Sequence, residues 1–176
     1  MRKMYLSAPL PFVGQKRMLA KEFMKVLEQY PDGTLFVDLF GGSGLLSHIT
    51  KSLKPHSTVI YNDFDNYRFR MKHIPQTNQL LADIREMVGN SVPRHKIIKG
   101  ELRERIFSRI EQEENSTGYV DFITLSSSIL FSMKYKLSVQ DMRKEALYNN
   151  IRKTGYPECT DYLEGLEIVS CDYKEV

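Results

Sequence analysis

Hydrophobic residues in the first 66 positions form one helical pattern and two short strand patterns. Apolar residues between Arg17 and Gln29 recur at spacings of one, three and four, which predicts an amphipathic helix. Apolar and β-branched segments at 34–38 and 58–62 predict strands, and a helical segment at 44–54 lies between them. Parallel strands need a crossover connection, so this order predicts a parallel βαβ unit.

The pattern becomes mostly helical after residue 66. Helices are predicted at about 76–88, 99–114, 119–134 and 139–152. Ser138 is the predicted N-cap of the last helix. The apolar run 123–133 fits either a helix or a strand. A final β-branched segment at 167–171 predicts one more strand.

These elements predict an α/β fold in three segments. Residues 1–66 would form the first part of a core of parallel strands. Residues 67–165 would form a mainly helical insertion, and residues 166–176 a strand that returns to the core.

Composition narrows the class of protein. The chain has 176 residues with 41% hydrophobic and 27% charged residues, as ordinary globular domains do. Its two cysteines, Cys159 and Cys171, do not form a Cys-x-x-Cys pair, and its four histidines lack metal-ligand spacing. No apolar run approaches the length of a membrane span, and the first residues lack a secretory signal pattern. We therefore expect a cytoplasmic protein without a metal or a disulfide framework.

The most informative segment joins the first predicted strand to the following helix. Its sequence is Asp38-Leu39-Phe40-Gly41-Gly42-Ser43-Gly44. Glycines at a strand-to-helix turn let a ligand approach the backbone, and the start of the helix offers free N–H groups. The segment therefore predicts a nucleotide-type cofactor site.

Charged residues near this turn bear on the identity of the cofactor. Asp38 would repel a pyrophosphate and would suit the ammonium and sulfonium groups of S-adenosylmethionine (SAM). Asp38 therefore disfavours one alternative, that the chain is a fragment of an NAD-type oxidoreductase. Asp63 follows Gly44 by nineteen positions, where an acid can accept both ribose hydroxyls of either cofactor. Lys16, on a loop with Gly14, could meet the cofactor carboxylate.

Three motifs together resemble the Dam-like (D12 class) DNA adenine-N6 methyltransferases. They are Pro11-Phe12-Val13-Gly14-Gln15-Lys16-Arg17, Phe36-Val37-Asp38-Leu39-Phe40-Gly41-Gly42-Ser43-Gly44 and Tyr61-Asn62-Asp63. The resemblance implies a partial Rossmann-like methyltransferase core that binds SAM, with a target-recognition region in the helical insertion. It implies site-specific DNA adenine methylation, as in restriction–modification systems. It also implies that Asp172 and Tyr173 lie near the cofactor adenine.

The resemblance assigns twelve residues to cofactor binding. They are Phe12, Gly14, Lys16, Asp38, Phe40, Gly41, Gly42, Ser43, Gly44, Asp63, Asp172 and Tyr173.

One motif of the family does not occur in this sequence. The catalytic tetrad Asp/Asn-Pro-Pro-Tyr/Phe holds the target amino group and stacks on the flipped base, but the sequence has no Pro-Pro pair. No catalytic residue is therefore assigned. We expect a truncated form that binds SAM, or alternatively a non-catalytic remnant or a fragment that complements another chain. The first strand would have a bare edge, which predicts self-association or a complementing fragment there.

Basic residues favour double-stranded DNA as a partner. Residues 94–153 contain 12 Lys or Arg against 8 Asp or Glu, a larger excess than the net charge of +3 for the whole chain. Segments 68–72 and 134–136 interleave basic and aromatic side chains, as contacts to phosphates and bases would need. Ordinary solvated helix faces explain any single one of these residues equally well.

Overall fold

A computed structural model of the protein describes residues 3–14, 16–131 and 134–176. In chain order the elements are a 3-10 helix (Lys16–Leu19), α1 (Ala20–Glu28), β1 (Phe36–Asp38), α2 (Leu45–Leu53), β2 (Val59–Asn62), α3 (Tyr67–Lys72), α4 (Ile74–Val88), β3 (Ile97–Ile98), α5 (Gly100–Thr117), α6 (Phe122–Ile129), α7 (Val139–Arg143), β4 (Leu147–Tyr148) and β5 (Glu167–Val169).

The elements divide between two compact units. The first unit comprises the chain up to Lys72 together with Glu158–Val176, and the second comprises His73–Pro157. Among the residues that the structure describes, no helix has the length and apolar character that crossing a bilayer requires.

A three-stranded parallel sheet forms the centre of the first unit. The strand order is β1-β2-β5, and both strand pairs are parallel. Asp38 lies opposite Tyr61, which in turn lies opposite Ile168. The α/β fold and its parallel strands are therefore confirmed.

Helix α2 covers one face of this sheet. Its Leu45 and Ile49 are buried together with Val59 and Tyr61 of β2. Side chains alternate between the two faces along a strand, so residues on either side of these positions point away from α2. Burial of these large apolar side chains against α2 stabilises the unit.

The opposite face of β1 is open to solvent. Leu35, Val37 and Leu39 alternate with the residues that face α2, and they are 59%, 46% and 38% exposed. Parallel sheets normally bury both faces, and their strands are correspondingly apolar. The first unit therefore presents an apolar sheet surface next to an edge strand.

The side chain of Tyr61 packs against the glycine loop. Its ring is fully buried, and its hydroxyl lies 2.7 Å from the Gly42 carbonyl oxygen. A Cβ atom added at Gly41 would overlap the Tyr61 ring and lie 2.8 Å from the Asn62 carbonyl oxygen. Gly44, the N-cap of α2, has φ of 70°, a left-handed conformation that favours glycine. The loop thus needs glycine for close approach at one position and for backbone conformation at another.

The second unit packs its helices around α4 and α5. Leu81 and Ile84 of α4 are buried along with Ile106 and Phe107 of α5, and the two helices are in contact. Two short strands, β3 and β4, pair antiparallel. The role of residues 67–165 as a target-recognition region stays a prediction.

Several helix predictions for this unit need correction or refinement. The helix expected at 139–152 ends at Arg143, because residues 147–148 instead pair with β3, which the sequence pattern did not predict. The N-cap prediction is confirmed, since the Asp141 N–H donates to the Ser138 hydroxyl over 3.2 Å.

The ambiguous run near residue 123 is helical over Phe122–Ile129. The helix predicted at 119–134 is therefore shorter at both ends, and positions 132 and 133 lie outside the described residues. Helix α3 was missed, because its six residues are too few to establish a helical period.

The packing of Gly41 leads to a stability prediction. We expect Gly41→Ala to destabilise the first unit by about 3 kcal/mol, since the added methyl group would displace the buried Tyr61 ring. Gly118→Ala is the control, because a Cβ atom added at Gly118 meets no atom within 4 Å. This variant should lose only about 1 kcal/mol, the strain of an alanine at the Gly118 φ of 73°. Urea denaturation of both variants measures the difference, and equal losses would contradict the proposed packing role.

Candidate cofactor-binding site

A cavity of about 460 Å³ opens beside the glycine loop in the first unit. It lies where the chain leaves the carboxyl ends of the parallel strands, which is the usual ligand position in open α/β sheets. Nine of the twelve residues assigned from the sequence line it, namely Phe12, Gly14, Lys16, Phe40, Gly41, Gly42, Ser43, Asp172 and Tyr173. The other lining residues are Val13, Leu39, Asn62, Phe64 and Asp65.

Three assigned residues do not line the cavity. Gly44 is the N-cap of α2, and its N–H donates to the Gly41 carbonyl oxygen over 2.8 Å. Asp38 accepts a hydrogen bond of 2.7 Å from the Ser47 hydroxyl of α2. Asp63 is buried and does not line this cavity.

The carboxylate of Asp63 is occupied by donors from its own unit. It accepts hydrogen bonds from the backbone N–H groups of Tyr67, over 2.6 Å, and Arg68, over 3.0 Å. The Tyr61 hydroxyl lies 2.9 Å from the same carboxylate. Burial raises the pKa of Asp63, while these three hydrogen bonds act in the opposite direction. In this structure Asp63 anchors the start of α3.

Asp65 is a second acid, two positions after Asp63 in the sequence. Asp65 is exposed and lines the cavity, as does Phe64, which is 64% exposed. The sequence assignment names Asp63 alone, because spacing does not distinguish a buried acid from an accessible acid two positions later.

Lys16 and Asp38 form an ion pair at the base of the glycine loop. The Lys16 ammonium lies 3.6 Å from the Asp38 carboxylate, and it also donates to the Phe40 carbonyl oxygen. Both side chains are partly accessible, at 30% and 17%. A positive and a negative group therefore lie side by side next to the cavity.

Aromatic side chains form much of the cavity's apolar surface. The rings of Phe40 and Tyr173 lie 5.2 Å apart between centroids, and both are substantially exposed. On another part of the wall, Phe12 contacts Tyr67 edge to face with 5.8 Å between centroids. Exposed aromatic rings in a cavity provide stacking surfaces for a planar ligand.

Asn62 links the carboxyl ends of the strands. Its side-chain amide donates to the carbonyl oxygens of Leu39 and Cys171 over 3.2 and 3.0 Å, and its oxygen accepts from the Cys171 N–H over 3.2 Å. The side chain is buried, so these bonds replace bonds to water. Asn62 thereby fixes the segments that carry Phe40 and Tyr173. No separate signal in the sequence indicates this role, because the hydrogen-bond partners of Asn62 are distant along the chain.

The parallel sheet, the glycine loop and the cavity at the strand ends are the arrangement of α/β proteins that place a ligand at the carboxyl ends of their strands. Comparison with known families then identifies the protein further. The family model for D12 class N6 adenine-specific DNA methyltransferases matches residues 12–156. The chain belongs to this family, whose activity implies a DNA substrate and a methyl donor.

A relative in Haemophilus influenzae, bearing the name "Putative methyltransferase", is 40% identical over 173 residues. The match covers 96% of this chain and 57% of that relative. The chain therefore spans little more than half the length of the relative that it matches.

The position of Asn62 leads to a prediction about stability. We expect Asn62→Asp to destabilise the first unit by about 3 kcal/mol, because a buried carboxylate would face two carbonyl oxygens and donate to neither. Asp172→Asn is the matched isosteric exchange at an exposed position, and we expect a change within about 0.5 kcal/mol. Denaturant titration measures both. If the Asn62→Asp variant is as stable as the Asp172→Asn variant, the hydrogen bonds of Asn62 to Leu39 and Cys171 contribute little to the free energy of unfolding.

Proposed function

We propose that this chain binds SAM in the cavity beside the glycine loop and is the cofactor-binding part of a DNA adenine-N6 methyltransferase. The observation that carries the proposal is the charge around the cavity. Among the lining residues that the structure describes, the side chains of Lys, Arg, Asp and Glu are those of Lys16, Asp65 and Asp172, and Asp38 adjoins Lys16. Acids outnumber bases, which suits a cationic ligand and opposes a pyrophosphate.

The Lys16–Asp38 pair matches the amino-acid end of SAM. That end carries an ammonium and a carboxylate, so it offers one partner for each member of the ion pair. Lys16 would hold the carboxylate through a charge-assisted hydrogen bond, and Asp38 would attract the ammonium group. The pair is already assembled beside the loop, which lowers the ordering cost of binding.

The nucleoside end of SAM would meet the outer part of the cavity. Asp65 is the proposed acceptor for the ribose hydroxyls, because its carboxylate is exposed at the cavity whereas Asp63 is buried among its donors. Phe40 and Tyr173 offer aromatic surface for the adenine ring. When bound, SAM would supply a methyl group on a sulfonium for in-line attack by the amino nitrogen of a DNA adenine.

Calorimetry with SAM and with NAD tests the cofactor assignment. We expect SAM to bind and NAD not to bind. Lys16→Gln and Asp65→Asn should each weaken SAM binding about tenfold, because each removes a charge-assisted hydrogen bond. Glu167→Gln, an exposed exchange on β5 outside the cavity lining, serves as the control and should leave the affinity unchanged. Binding of NAD in preference to SAM would overturn the assignment.

We also propose that a second polypeptide segment supplies the catalytic motif by adding to the edge of β1. The sequence contains no Asp/Asn-Pro-Pro-Tyr/Phe motif to hold the target base. In the described sheet, β1 is an edge strand whose outer face exposes Leu35, Val37 and Leu39. An apolar face beside an unpaired strand edge suits the addition of a further strand with its own apolar cover. The relative's unmatched portion is a suitable probe, since it is the part of that protein outside the match.

A reconstitution assay tests this second proposal. We expect no adenine methylation by this chain alone, and methylation of duplex DNA once the unmatched portion of the H. influenzae relative is added. Val37→Asp should abolish complex formation in sedimentation, because it places a charge on the apolar face. Val26→Asp is the matched control, since the Val26 side chain of α1 is 47% exposed. This control variant should still form the complex.

Two outcomes would contradict the second proposal. One is methylation by the chain alone. The other is a complex with the unmatched portion that forms equally well with Val37→Asp, since it would show that this portion binds another surface.

A further inference from the structure

The positive charge of the second unit is concentrated in one short ribbon. We define the basic ribbon as residues 91–100 and 146–157, which include β3 and β4. It contains five Lys or Arg and no Asp or Glu, whereas the rest of the unit has 8 Lys or Arg against 10 Asp or Glu. The positive excess of the unit therefore resides in this ribbon.

Backbone pairing holds the two segments of the ribbon together. Ile97 lies opposite Tyr148, and Ile98 lies opposite Leu147. The pairing continues past the strands through two hydrogen bonds of 2.9 Å. The His95 N–H donates to the Asn149 carbonyl oxygen, and the Asn149 N–H donates to the Lys96 carbonyl oxygen. The bases of the ribbon are thus displayed on an ordered backbone.

Side chains tie the ribbon further. The Arg94 guanidinium donates to the Ile151 carbonyl oxygen over 2.9 Å, and the Asn149 side-chain amide donates to that of Val92 over 2.7 Å. The Arg152 guanidinium lies 4.5 Å from the centroid of the Tyr156 ring. These contacts use backbone oxygens and a ring rather than carboxylates, so they leave the positive charges uncompensated.

Elsewhere among the described residues of the unit, all basic side chains except those of Arg85 and Arg105 form ion pairs with acids. Arg109 pairs with Asp83 and Glu113, while Arg143 pairs with Glu104 and Glu111. Such pairs present little net charge to an anionic partner.

The same neutralisation affects segment 134–136, which the sequence pattern favoured for DNA contact. Lys134 and Lys136 both pair with Glu145 in the structure. By contrast, Lys96, Lys99 and Lys153 are exposed, and none of the three forms an ion pair with a described residue. Within the described part of the second unit, the unpaired lysines thus lie on the ribbon rather than in segment 134–136.

We propose that the basic ribbon is the surface through which this chain holds the phosphates of duplex DNA, an inference that rests on the proposed function. Uncompensated Lys and Arg side chains bind DNA by releasing the counterions condensed on its phosphates. A two-stranded β-ribbon also has a width that the major groove of B-DNA admits. Ile97, which lies opposite Tyr148, is exposed, and Lys99 follows it by two positions in an extended conformation. Because side chains two positions apart point to the same side of a strand, Ile97 and Lys99 lie on one face of the ribbon. The ribbon therefore combines a suitable shape with a suitable charge.

Fluorescence anisotropy with a labelled 20–30 base-pair duplex, on the order of two or three helical turns, tests the proposal across a salt series. We expect the triple variant Lys96→Gln, Lys99→Gln and Lys153→Gln to bind about tenfold more weakly or worse, with a salt slope smaller by about 3. The matched control is Lys134→Gln, Lys136→Gln and Lys144→Gln, which removes the same charge in the same unit from lysines paired with acids. The control should bind DNA within about twofold of the unaltered chain.

SAM calorimetry on the same proteins separates this proposal from the function on which it rests. Both triple variants should bind SAM as the unaltered chain does, because their substitutions lie outside the first unit, and circular dichroism checks their folding. Equal loss of DNA binding in the two triple variants would overturn the ribbon proposal in favour of a bulk charge effect. An unaltered chain that binds SAM but no duplex would also overturn it while leaving cofactor binding in place. Absence of SAM binding with intact DNA binding would overturn the proposed cofactor instead.

Discussion

The first unit depends on the burial of Tyr61 beneath the glycine loop. Its ring occupies the space that a side chain at Gly41 would need, and its hydroxyl lies within hydrogen-bond distance of both the Gly42 carbonyl oxygen and Asp63. Burial raises the pKa of the Tyr61 hydroxyl, which therefore remains a donor. A single side chain thus connects the strand, the loop before α2 and the acid that anchors α3. The cavity wall is held in place by this connection.

Opposite electrostatic characters distinguish the two surfaces proposed to bind ligands. The cavity of the first unit is lined by Asp65, Asp172 and Lys16, and an excess of acid favours a cationic cofactor. The basic ribbon of the second unit carries five positive charges and no acid, which favours a polyanion. A methyltransferase that acts on DNA needs both kinds of site, since its methyl donor is cationic and its substrate is anionic.

Hydrogen bonding at the strand ends explains how distant segments build one cavity. Asn62 bonds to Leu39, which follows β1, and to Cys171, which follows β5. Because the Asn62 side chain is buried, leaving its amide unpaired would be costly, so these hydrogen bonds hold the segments in register. The outer face of β1 lacks comparable closure, and its exposed apolar residues mark the place where further protein would be stabilising.

Sequence alone determined the features that depend on local order: the βαβ unit, the glycine loop, the Ser138 cap and the family. These follow from periodicity and from motifs whose residues are neighbours in the chain. Tertiary structure decided the features that depend on partners far apart, such as the burial of Asp63, the bridging role of Asn62 and the pairing of β3 with β4 in place of a longer helix. It also decided which lysines are free, because the neutralisation of Lys134 and Lys136 by Glu145 depends on folding. A residue's type and spacing limit the chemistry that it can perform, but its accessibility and its charge partners are set only when the chain folds.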